Sequence, residues 1–174
     1  MSFVTESTNS PLGMTPFQNN DTICLVGDSI THSGTYHSYI FLYHATRLPQ
    51  MRLRFVNCGI SGDNASGMLG RLDQDVFSHN PTVATLSAGM NDVGRDLYSL
   101  IKVPDDAENL KRNAIDAFKQ NIGKISDAFT ERGVRQILIT PTIYEEHEES
   151  TSESLRGVNA ALGRSEEHTS ELQS

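Results

Sequence analysis

The chain has 174 residues and a formal net charge of −8, from 14 basic and 22 acidic side chains. That balance excludes a nucleic-acid protein, which needs a basic stripe to neutralise phosphates. No apolar run approaches the roughly 20 residues that span a bilayer, and the start, MSFVTESTNSPLGM, has neither the basic nor the apolar region of a secretory signal, so a cytoplasmic location is the default. Residues 145–174 hold eight Glu against two Arg, so the first 144 residues carry only −2. The expectation is a near-neutral globular domain with polar extensions.

Residues 1–20 are rich in Ser, Thr, Asn and Pro without periodicity and read as a disordered lead-in. Residues 22–26, TICLV, form a short apolar run ending at Gly27, as expected of a strand buried on both faces. Residues 35–48 have near-helical apolar spacing and stop at Pro49. Residues 53–57 read as a second strand, residues 64–78 as a helix with Met68, Leu69, Leu72 and Val76 on one face, and residues 82–86 as a third strand. Residues 93–104 read as a loop. From about 106 to 131, apolar residues from Leu110 to Phe129 repeat at three and four, the clearest helix in the chain, with Gly133 as its C-cap. Residues 134–140 read as a fourth strand, 145–153 as an acidic solvated loop and 155–162 as the start of a helix. Cys24 and Cys58 sit inside apolar runs and read as two small buried hydrophobes, not a disulfide framework.

Strands alternating with helices imply a parallel sheet covered on both faces, and ligands of such sheets bind beyond the carboxyl ends of the strands. Three motifs fall there: Gly27-Asp28-Ser29-Ile30, Asn57-Cys58-Gly59-Ile60-Ser61-Gly62 and Gly89-Met90-Asn91-Asp92. They are spaced by about one strand–helix–strand unit each, so they should gather on one sheet edge. A serine between strand and helix can present a nucleophilic hydroxyl. The backbone N–H groups of Ser29 and Gly59 and the Asn91 amide can serve as oxyanion donors. Each motif also has a plain structural reading. Ser29 could cap a helix, Gly59 could serve a tight turn, and Asn91-Asp92 could be a turn or cap pair. His32 could be merely solvated or structural. Tyr36 and His37 suit the sides of the first helix better than a pocket, and Arg71 and Arg95 suit surface salt bridges better than substrate contacts.

Together the three blocks resemble the SGNH, or GDSL-like, hydrolase family, over roughly residues 20–163. The resemblance implies a flavodoxin-like three-layer α/β/α fold and hydrolysis of a small-molecule ester, an acylated sugar being the guessed substrate. It implies Ser29 as nucleophile and Ser29, Gly59 and Asn91 as the oxyanion hole. Asp28, His32 and Asp92 are assigned to substrate contact, with no metal and no cofactor. The family's last block, Asp-x-x-His, is missing: no histidine among His32, His37, His44, His79, His147 and His168 has Asp three residues before it. Residues 164–174, RSEEHTSELQS, are the in-frame translation of a common sequencing-library adapter in all eleven codons. The expected organisation is therefore lead-in 1–20, a domain 21–163 that lacks its last strand and helix, and a non-native tail 164–174. Such a chain is expected to be inactive for want of the catalytic His. The competing function is a non-catalytic carbohydrate-binding module on the same fold. A nucleotide-binding or receiver protein is disfavoured, because neither phosphate-binding glycine pattern is present.

Overall fold

The computed structural model describes residues 17–98 and 103–142. Four parallel strands, β1 (Thr22–Gly27), β2 (Arg54–Gly59), β3 (Val83–Ser87) and β4 (Arg135–Ile139), form one sheet in the order β2-β1-β3-β4. The two central strands, β1 and β3, are buried almost throughout, which matches their unbroken apolar sequences. Strand β1 feeds a four-residue helix, α1 (Ser29–His32), and then α2 (Thr35–Arg47). Helix α3 (Ala65–Arg71) follows β2, and α4 (Ala107–Glu131) precedes β4.

One face of the sheet presents Cys24, Val26, Cys58, Ala84, Leu86 and Leu138. These pack against Met68, Leu72 and Val76 and against Phe118, Ile122, Ile125 and Phe129 of α4. The opposite face presents Ile23, Leu25 and Val83 with half-buried Leu53, Phe55 and Ile137, and Phe17 packs there too. Helix α2 covers the β2 end of this face through ring contacts of Phe41 and His44 with Phe55. The result is the expected three-layer α/β/α arrangement.

Several boundaries differ from the sequence reading. The lead-in is already packed at Phe17, whose ring meets His44 and Phe55, and Asn20 N–H donates to Arg52 C=O at 2.8 Å. The helix expected over 64–78 ends at Arg71 and continues as a wider π-type turn (Leu72–Val76) and a 3-10 turn (Phe77–His79). The carbonyls of Asp75 and Val76 in this stretch accept the thiols of Cys58 at 3.2 Å and Cys24 at 3.8 Å. The two buried, unbridged cysteines thus take part in holding the loosened turn against the sheet. The segment read as a loop before α4 contains a 3-10 turn (Arg95–Tyr98), with Tyr98 buried against Val93 and Ile115. The expectations for 1–16, 145–153, 155–162 and 164–174 lie outside the described residues, as does the question of a further strand and helix.

Candidate active site

Register brings the motifs together. Gly27 lies opposite Gly59 on β2 and opposite Ser87 on β3, so the chain leaves all three strands at one edge. Ser29 is exposed there as the first residue of α1. Helix α1 lies directly across the ends of β1 and β2. A Cβ on Gly59 would meet the backbone N and Cα of His32 and the carbonyl carbon of Thr31. A Cβ on Gly27 would run into the Thr31 side chain. Glycine at both positions is what lets the serine-bearing turn sit this close to the sheet.

The remaining motif residues mostly build this platform. Asp28, assigned to substrate contact, is 3% exposed and caps α1, its Oδ1 accepting the Ile30 N–H at 2.9 Å. His32, given the same assignment, is exposed, and its Nδ1 lies 3.1 Å from the Gly59 carbonyl oxygen. Asn57 Nδ2 donates to the His32 carbonyl at 3.1 Å. The Gly59 N–H, expected to face a substrate oxygen, instead donates to Asn57 Oδ1 at 2.9 Å. An asparagine two residues upstream closes on this donor as in an Asx turn.

Asn91 is held by Nδ2 donating to the Asp63 carbonyl at 2.8 Å, and the amide has a second N–H for a ligand. Asp92, the third residue assigned to substrate, is used internally: its oxygens accept Ala65 N–H at 2.8 Å and Gly89 N–H at 2.9 Å. It therefore ties the β3 loop to the start of α3. Burial pushes its carboxyl up to about 6, against the pull of those two N–H donors and with the push of the Asp28 and Asp63 charges. Burial likewise raises Asp28, with the Ile30 N–H and the Arg95 charge opposing.

Sequence reading missed the parts played by Arg71, Thr31 and Tyr36. Arg71, read as suited to a surface salt bridge, does pair with Asp63 at 2.7 Å, but its side chain is only 13% exposed and its Nη2 also donates to the Gly27 carbonyl at 3.4 Å. Asp63 lies before the N-cap of α3, so no helical spacing announced its pairing with Arg71. Thr31 is fully buried, and its hydroxyl shares a hydrogen bond of 3.2 Å with the Tyr36 hydroxyl. Tyr36, read as lying on the side of its helix, lines a cleft of about 600 Å³ with Ser29, Ile30, Ser33, Thr35 and Tyr39. Among the described residues, no histidine or carboxylate hydrogen-bonds the Ser29 hydroxyl, and no cluster of metal-ligating side chains occurs.

This is a three-layer α/β domain with a parallel sheet and its three motifs at one strand edge. Residues 25–170 match the model of the GDSL-like lipase/acylhydrolase family, and the chain belongs to that family. It is 27% identical over 92 residues to an acetylxylan esterase of Geobacillus stearothermophilus, covering 44% of this chain and 42% of the relative. A gut microbial diltiazem-metabolizing enzyme superposes with a TM-score of 0.82 at 33% identity, over 91% of this chain and 36% of that one. A catalytic mutant of the Geobacillus stearothermophilus acetylxylan esterase superposes with a TM-score of 0.72 at 20% identity, over 90% and 73%. The last likeness speaks to the fold alone. The sequence match spans 42% of the acetylxylan esterase, and the superposition spans 36% of the diltiazem-metabolizing enzyme.

Proposed function

We propose that the whole protein is a serine hydrolase of carboxylic esters, with an acetylated sugar as the substrate suggested by its relatives. The supporting observation is the register that sets the Ser29, Gly59 and Asn91 motifs on one sheet edge, in a chain of the GDSL-like family. Ser29 Oγ would attack the ester carbonyl carbon while its proton passes to a histidine base. The resulting oxyanion would be met by the Asn91 amide and the Ser29 N–H, and by the Gly59 N–H once Asn57 releases it. Collapse would expel the alcohol with the proton held by that histidine, and water would then hydrolyse the acyl-serine. The base is assigned to an Asp-x-x-His block that none of the six histidines here provides. The chain of 174 residues is accordingly proposed to turn over esters poorly.

Aryl acetate hydrolysis by the whole protein tests this. Ser29→Ala should abolish turnover, and Asn91→Ala should lower kcat by roughly 100- to 1000-fold, the usual loss for one oxyanion donor. Undiminished turnover in Ser29→Ala would remove Ser29 as nucleophile. The second reading is a non-catalytic carbohydrate-binding module on the same fold. It predicts sugar binding with no serine-dependent turnover.

A further inference from the structure

We infer that the cleft between α1 and α2 is a subsite for a neutral six-membered ring attached to the ester, held by its carbon face against Tyr36 and Tyr39. This rests on the proposed role of Ser29 and names what lies beside it. The cleft, about 600 Å³, is within the usual range for small-molecule sites and has Ser29 in its wall. The rest of the lining among the described residues is Ile30, Ser33, Thr35, Tyr36 and Tyr39, with no carboxylate, lysine, arginine or histidine. The described lining offers a charged group no counter-charge. The Ser33 hydroxyl already donates to the Ile30 carbonyl at 2.8 Å, and the Tyr36 hydroxyl is engaged with Thr31. Two of the cleft's five hydroxyls are thus committed within the protein, and the tyrosine rings with Ile30 supply its carbon surface.

The aromatic wall is partly set in advance. Tyr36 is anchored at its hydroxyl by fully buried Thr31, and its ring stands edge-on to His37 at 5.1 Å and 86°. His37 is itself fixed, with Nε2 3.0 Å from the Thr31 carbonyl oxygen. A ring held before binding costs little ordering entropy when ligand arrives. Tyr39, one turn further along α2, is 69% exposed at the cleft. An aromatic acetate and an acetylated pyranose both offer an uncharged carbon face to such a wall.

Isothermal titration calorimetry with two rings that carry no ester, anisole and methyl β-xylopyranoside, tests the subsite without any turnover. Benzoate serves as the charged ring. At least one neutral ring should bind, and which one binds distinguishes an aryl from a sugar source. Tyr39→Ala should weaken that binding about tenfold, the scale of one lost ring contact, whereas Tyr39→Phe, which keeps the ring, should stay within about twofold. Circular-dichroism melts check that the variants fold, which the exposure of Tyr39 favours. Binding of neither neutral ring, undiminished binding by Tyr39→Ala, or equally tight binding of benzoate would overturn the subsite. Aryl acetate turnover that survives Ser29→Ala would overturn the nucleophile and leave the calorimetric result standing.

Discussion

Gly59 shows how one missing side chain sets the site. Its neighbours are backbone atoms of His32 and Thr31, which cannot rotate aside. Gly59→Ala should therefore displace α1 and Ser29 with it, lowering stability by about 1–3 kcal/mol, the range for overpacking. A thermal melt and an aryl acetate assay read the two effects; an unchanged melting temperature would show that α1 does not press on β2. Asp92 makes a prediction in pH. Its folded-state carboxyl sits at about 6 and its ordinary value is 3.8, so the folded state holds the proton more tightly than the unfolded chain. Its contribution favours folding below about pH 4 and is lost as pH rises through 6, by at most about 3 kcal/mol. Asp28, Asp63, Arg71 and Arg95 share this neighbourhood and set the background. Asp92→Asn cannot ionise. The stability advantage of the native protein over this variant should shrink between pH 4 and pH 7, and a constant difference would contradict the raised carboxyl.

At the scale of elements, β4 is tied to β1 by charge as well as by the sheet. Arg135 Nη2 donates to both oxygens of Asp21 at 2.6 Å, and Thr82 Oγ1 donates to Asp21 Oδ1 at 2.7 Å. Burial opposes ionisation of Asp21, but these bonds and the Gln18 N–H outweigh it and hold its carboxyl below the usual value. Its stabilisation is present above about pH 4 and fades as pH falls through the depressed value. Asp21→Ala should cost about 2–3 kcal/mol in a denaturant titration at pH 7. That is less than for a fully buried pair, because the Arg135 side chain keeps 32% of its surface exposed. Sequence patterning reached most elements within a residue or two, because β1 and β3 are apolar runs with turn residues beyond them and α4 keeps one apolar face through seven turns. It missed α1, since four residues are too few to show a period. It overran α3, because Leu72 and Val76 keep helical spacing while the backbone between them widens. In the site, residue type marked the three motifs correctly as strand-edge groups. It could not reveal that Asp28 and Asp92 spend their carboxylates on backbone N–H groups, or that Asn57 occupies the Gly59 donor. Three of these are cap and turn bonds spanning two or three residues, to which a short polar side chain commits only when the backbone turns there; the Asp92–Ala65 bond joins loops 27 residues apart, which no local spacing encodes.

For the molecule as a whole, the outer side of α2 stands out. Tyr39, Phe41, Leu42 and Tyr43 are each more than half exposed, and no residue of the helix is fully buried. Apolar surface of this kind favours self-association. Leu42→Lys should raise the concentration at which light scattering begins while leaving the melting temperature within a degree or two; scattering unchanged by the substitution would mean that this face plays no part in self-association. The position of Tyr39 has one more consequence, an optical one. The chain has no tryptophan among its 174 residues. Tyr39→Trp would therefore place its sole indole at the mouth of the cleft beside Ser29. Excited at the red edge, where tyrosine does not absorb, that indole would report wetting or drying of this single spot through the colour of its emission, so each ligand tried could be seen arriving against a dark background.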